Sequence, residues 1–250
     1  MTYIALGVLV PVLFFVWWEL AARTGAIDAR IFPAPTTIVL EAWELIQAGT
    51  LGTAVFETVW RLLLGFAIGA VIGFCLGVFM GLLKPLRAAL EPSLDALYAI
   101  PNLTLLPIFI ALFGFGDAPL VALIALAVFF YVWIGSMTSI IRVPAGYIEA
   151  ARSIGVSPFS MFTHVYFPAI LPTVMVNARV GMVVAITMAV AGEYIIGGTG
   201  LGYLIFNSAQ LFVNGWMYAG IIVVGVIGVI LAGLVSLVGR WVIPWERPRG

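Results

Sequence analysis

An all-α, polytopic membrane protein is the fold class this sequence predicts, and three observations predict it. Of 250 residues, 64% are hydrophobic and 9% are charged, whereas soluble domains average about 25% charged residues. Runs of about 20 mostly apolar residues recur along the chain, the length a helix needs to cross the hydrocarbon layer. Between two of these runs lies a polar, helix-prone insert, Glu149-Ala150-Ala151-Arg152-Ser153-Ile154-Gly155, continuing through Ser157-Pro158 to Pro168.

The same composition excludes several function classes. Basic and acidic residues balance at 11 each, which argues against a nucleic-acid partner gripped through its phosphates. One cysteine, Cys75, and one histidine, His164, leave no intramolecular disulfide and no His/Cys zinc cluster. They also lie too far apart in sequence to suggest a nucleophile–base pair for an intramembrane enzyme. The Gly-rich run Gly197-Gly198-Thr199-Gly200-Leu201-Gly202 lacks the Lys-Ser/Thr that holds a nucleotide. If ATP drives this protein, another chain hydrolyses it.

The first span runs from about Tyr3 to Ala22. No Lys or Arg precedes it and no clear A-x-A site follows, so it is expected to be retained rather than cleaved. Phe32-Pro33-Ala34-Pro35 then leads to Thr36 or Thr37, either of which can cap a surface helix over Ile38 to Gln47.

Span two, about Thr58 to Leu83, carries Gly65, Gly69, Gly73, Gly77 and Gly81. Glycine at every fourth position lines one face and admits a second backbone. Tight packing is the preferred reading and a pore-lining face the alternative. Cys75 lies off this stripe and reads as a packing residue. Glu57 and Arg61, four apart, can pair on one face.

The third span, Leu94 to Phe113, is interrupted by Pro101 and Pro107, with Asn102 and Thr104 between them. Such prolines free carbonyls that protein or a water-filled cavity must satisfy. Either a plain kink or a bent helix beside a translocation path fits. Span four is about Leu120 to Ile141, span five about Ala169 to Ala191 and span six about Met217 to Val238.

The insert reads as a knuckle between spans four and five. Glu, Ala, Ala and Arg favour helix, and Gly155 is a natural stop. Ser157-Pro158 then pairs an N-cap with a proline at the first helical position. Orientation follows from Lys and Arg. With both termini inside, the cytoplasmic segments hold Lys84, Arg87, Arg142, Arg152, Arg240, Arg247 and Arg249, and the outer ones only Arg23 and Arg30. Arg23, just after span one, locally favours the reverse. The overall count puts the knuckle in the cytoplasm.

Arg179, near the middle of span five, is the costliest residue, about 2.5–3.5 kcal/mol on insertion scales unless satisfied. A structural partner or a substrate path would explain it. Glu193 lies 14 residues further on, about 21 Å along a helix, too far to be that partner. His164 reads as interfacial packing.

Glu-Ala-Ala, three residues, Gly155, nine residues and then Val165-x-Phe167-Pro168 resembles the EAA loop of the permease subunits of bacterial ABC importers. The Phe32–Pro35 segment, the glycine ladder, Pro101 to Gly116 and Gly200-Leu201-Gly202-Tyr203 extend the resemblance to the nitrate, sulfonate and taurine branch over nearly the whole length.

The resemblance implies a type I importer permease, with Glu149, Ala150, Ala151, Arg152 and Gly155 forming the coupling helix that sits in a groove of the ATPase. It implies a single permease domain over 1–250: a first span and surface segment (1–52), a core (53–241) and the cytoplasmic loop (142–168). Two copies of a cytoplasmic ATPase carrying ATP-Mg, an extracytoplasmic binding protein and a second permease copy, giving a homodimer, are the implied partners. The chain itself would bind no cofactor and perform no bond chemistry. Its place would be the bacterial inner membrane.

Asn102, Thr104, Arg179 and Glu193 are the candidate path or gate residues. Glu193 could instead stabilise the dimer or lie solvated at the span end. The solute would be a small anion of the nitrate, sulfonate or taurine type, or else a thiamine-precursor pyrimidine or another small organic molecule. A self-sufficient secondary transporter or channel is the competing class. It would call for mid-span carboxylates or an inverted repeat, and neither is evident in the sequence.

Overall fold

The computed structural model describes residues 2–246, and all regular structure among them is helical. In order these are α1 (Thr2–Thr24), α2 (Pro35–Gln47), α3 (Thr50–Leu82), α4 (Lys84–Tyr98), a 3-10 turn (Asn102–Leu105) and α5 (Leu106–Phe113). Then come α6 (Asp117–Ile141), α7 (Ala145–Ser153), α8 (Pro158–Met161), a π-turn (Phe162–Tyr166), α9 (Phe167–Ile196), α10 (Leu201–Gln210), α11 (Asn214–Val242) and a 3-10 turn (Pro244–Glu246). Arg247 and Arg249, used in the orientation count, lie outside the described residues.

Among the described residues, four helical runs are long and apolar enough to cross a membrane: α3, α6, Pro158–Ile196 and α11. A fifth arises if α4 and Asn102–Phe113 are one broken span. α1 adds 23 residues, about 34 Å of helix. The expected spans are thus present as helix, but the third is not a continuous rod.

Its two halves meet at 93°. Pro101 cannot donate to the helical ladder and pushes Ile100 out of helical conformation, so α4 stops. The Thr104 hydroxyl donates to the Pro101 carbonyl at 2.7 Å and fixes the turn. Pro107 does not kink a helix as expected. It stands in the first turn of α5, where its missing N–H costs nothing.

The chain divides into two compact units that interleave in sequence. One comprises Met1–Thr58 and Glu193–Gly225. In it α2 begins at Pro35 rather than being capped by Thr36 or Thr37. Instead the Thr36 N–H and hydroxyl donate to the Glu19 carboxylate of α1 at 3.0 and 2.7 Å. The surface helix is therefore started by a carboxylate from a neighbouring helix, which the local sequence could not reveal. Gly215, at the head of α11, packs directly on the carboxylate of Glu41.

The other unit comprises Val59–Gly192 and Val226–Gly250. Here the glycine ladder of α3 lies against α6. A Cβ added at Gly65 would be 2.6 Å from the Ile124 side chain, at Gly73 2.6 Å from the Phe129 carbonyl, and at Gly77 2.5 Å from that of Trp133. This is backbone-to-backbone packing, so the face lines no pore. Within lipid such close approach supplies the dispersion contacts that hydrophobicity cannot. Met80, Phe130, Trp133 and Met137 form a buried cluster at one end of the seam, where the Trp133 indole N–H meets the Met80 sulfur at 3.1 Å. Arg61, nearly buried, donates to Asp117 at 2.6 Å. Cys75 is exposed rather than packed.

Candidate functional site

The knuckle folds as its residues dictate. Pro144 opens α7, and the helix ends in a paired cap: Gly155 N–H donates to the Arg152 carbonyl at 3.0 Å, and Val156 N–H to that of Ala151 at 3.2 Å. That pattern needs a left-handed residue at the first position past the helix, and Gly155 has φ +76°. Ser157 then caps α8, its hydroxyl oxygen accepting from the Ser160 N–H at 3.2 Å, with Pro158 at the first helical position. The short helix and the glycine elbow form as the sequence predicts, but the second helix is not short: from Pro158 it runs on through the π-turn into α9 as one helical run, Pro158–Ile196.

The surface they present is unusual for a polar loop. Ile154 is 80% exposed, Phe159 77% and Tyr147 67%, beside exposed Glu149, Ala150 and Arg152. Ala151 is buried. Of the two alanines only Ala150 is available for docking. The three large apolar side chains were not singled out from sequence. Local phase would not have indicated them: Tyr147 stands four residues before the buried Ala151 and Ile154 three after it, the spacing of a single helix face.

The remaining candidate residues separate. Asn102 and Thr104 share the turn at the 93° break; the Asn102 amide oxygen is buried without a hydrogen-bond partner, and Thr104 serves the turn itself. Arg179 is exposed on α9 and forms no ion pair with a described residue.

Glu193 belongs to the other unit and is fully buried, not solvated. Thr58 donates its hydroxyl to the carboxylate at 2.9 Å, and Gly202 N–H donates to Oε2 at 2.9 Å. Leu201 N–H in turn reaches the Thr58 oxygen at 2.8 Å. Two orphan donors of the first turn of α10 are satisfied in this way, and the negative charge sits at a helix N-terminus, where the dipole favours it. Gly200 (φ +102°) packs so closely on the carboxylate that no side chain fits there. The glycine run is thus a carboxylate cradle. Thr58, 135 residues from Glu193, is the partner no local pattern could show.

Residues 65–247 match the family described as the binding-protein-dependent transport system inner membrane component. The putative aliphatic sulfonates transport permease protein SsuC of Bacillus subtilis is 33% identical, covering 96% of this chain and 87% of its own. The riboflavin transport system permease protein RibX of Chloroflexus aurantiacus is 31% identical, covering 97% and 91%. The nitrate import permease protein NrtB of Synechocystis sp. is 27% identical, covering 96% and 90%. In fold the chain is similar to a chain of the MetNI methionine ABC transporter in an inward facing conformation, with TM-score 0.65 and 20% identity over 81% of this chain and 95% of that one.

Proposed function

Since the chain belongs to the family of binding-protein-dependent transport system inner membrane components, as a multi-pass permease subunit of an ABC importer, we propose that it carries a small anion of the sulfonate, nitrate or taurine type. It does so as a homodimer driven by two ATPase subunits on its cytoplasmic knuckle. The observation that supports the docking role is the exposure of Ile154, Phe159 and Tyr147 around a rigid elbow. Large apolar side chains flanked by charge make the anchor-and-rim arrangement of a protein interface.

In this reading ATP-driven closure of the ATPases moves α7 and α8. The glycine elbow passes that displacement into α9, whose helix continues from α8 through the π-turn. Glu149 and Arg152 provide rim contacts. The chain performs no bond chemistry; ATP-Mg belongs to the ATPase, and an extracytoplasmic binding protein delivers the solute. Both termini lie in the cytoplasm. The identity with a permease named for riboflavin favours a second reading, a small organic solute carried by the same machinery.

Reconstitution tests this reading. Proteoliposomes holding the permease, its ATPase and its binding protein should accumulate solute only with ATP inside the ATPase-bearing compartment. Uptake by the permease alone, without ATP, would instead establish a secondary transporter or channel.

A further inference from the structure

We propose that Arg179 is the charge selector of the solute path, a fixed guanidinium that admits a compact oxyanion along the exposed face of α9. This rests on the permease reading and names the residue that recognises the solute's charge.

The first observation is depth. α9 has 30 residues, about 45 Å of helix, and Arg179 lies 12 residues, about 18 Å, from its Phe167 end. Centred on a hydrocarbon layer of about 30 Å, the residue sits roughly 10 Å inside it. The second is exposure without a partner: no described residue pairs with it. Two acids of the same unit already have basic partners. Asp117 is held by Arg61 at 2.6 Å, and Glu91 faces Arg87 at 3.9 Å.

The third observation is the company Arg179 keeps. Thr173, Val176, Val180, Val183 and Thr187 are the exposed residues around it, a stripe with hydroxyls at both ends. Between Ile221 and Val238 the exposed residues of α11, among them Val229, Ile230, Leu234 and Leu237, carry no polar side chain and suit lipid. A charge this deep cannot face lipid tails, so the α9 stripe borders water or a neighbouring chain. A guanidinium offers planar paired donors that match two oxygens of a sulfonate or nitrate group. One such group attracts an anion yet releases it, as a path requires. The rival is a carboxylate from a second copy, for which Asp95 of α4, exposed, is one candidate.

The test exploits the single cysteine. In a Cys75→Ser background, Val183→Cys places a thiol one turn from Arg179 in the intact permease–ATPase complex. Its modification rates are measured with two membrane-impermeant thiosulfonates, sulfonatoethyl (anionic) and trimethylammonioethyl (cationic), each normalised to a free thiol. The expected result is a preference for the anionic reagent that falls roughly tenfold on Arg179→Gln, with methanesulfonate slowing the reaction and neutral dimethyl sulfone not.

An unreactive thiol would overturn the proposal by showing a face sealed in lipid or protein. A rate ratio unchanged by Arg179→Gln would overturn it by showing a guanidinium already neutralised, and recovery of that ratio in Asp95→Asn would identify the second copy's carboxylate. None of these outcomes bears on ATPase docking, so failure here leaves the permease reading standing.

Discussion

Replacing Gly155 by alanine changes one dihedral preference and nothing else. Gly155 sits at φ +76° with no heavy atom within 4 Å of where a Cβ would stand, so the substitution meets no clash. The penalty is the left-handed conformation itself, about 1–2 kcal/mol for an L-residue. That shifts the ratio of closed to opened elbow by roughly 5- to 30-fold. The two cap hydrogen bonds, from Gly155 and Val156, then hold only part of the time. Motion at the ATPase is absorbed in the elbow rather than passed to α9.

Solute-stimulated ATP hydrolysis and uptake in the reconstituted complex should therefore fall several-fold, while thermal unfolding of the detergent-purified permease changes little. Asparagine tolerates the left-handed region better than alanine, and a β-branched residue tolerates it worse. The expected order of coupling is Gly, Asn, Ala, Val. Full uptake by Gly155→Ala, or Asn no better than Ala, would refute the conformational account of the elbow.

Gly73→Ala should do the reverse. Its Cβ would meet the Phe129 carbonyl at 2.6 Å, so α3 and α6 must part, at about 1–3 kcal/mol of overpacking, and the loss appears as lower thermal stability and yield. Glu193→Gln and Thr58→Val should each loosen the start of α10. A hydrogen bond to a charged group contributes about 1.5–3 kcal/mol, and faster amide exchange at Leu201 and Gly202 is the readout; unchanged exchange would mean the cradle is dispensable. Burial first, and the Glu44 charge second, push the Glu41 carboxyl above its ordinary value. Its folded form holds the proton more tightly than the unfolded one. The packing of Glu41 on Gly215 is thus most stable below the unfolded value near 4.3 and weakens as pH rises through the raised one. Glu41→Gln should flatten that dependence in thermal unfolding between pH 4 and 8.

Local periodicity and turn chemistry carried much of the fold. The every-fourth glycine of α3 could be read as a packing face because a helix repeats every 3.6 residues and only glycine admits a second backbone. Gly155 and Ser157-Pro158 were legible because cap chemistry is local. The features that escaped are nonlocal. Glu19 starts α2 from 17 residues away, Thr58 meets Glu193 across 135, and Arg61 finds Asp117 across 56. The 93° break was half legible: prolines announce an interruption, but the angle is set by what Phe130 and its neighbours pack against, including Tyr98 at 5.3 Å between ring centroids. Ala151 marks a finer limit, since Glu-Ala-Ala names a helix without saying which alanine faces out.

The central claim is that the α7–α8 knuckle holds the ATPase, and co-purification tests it most directly. A tagged chain drawn from native membranes in mild detergent, with its companions identified by mass spectrometry, should bring down a Walker-motif ATPase in equal amount. Ile154→Asp with Phe159→Asp should lose that companion while the permease still inserts and elutes as before. An ATPase retained by the double variant, or a wild-type chain that elutes without one, would contradict the account.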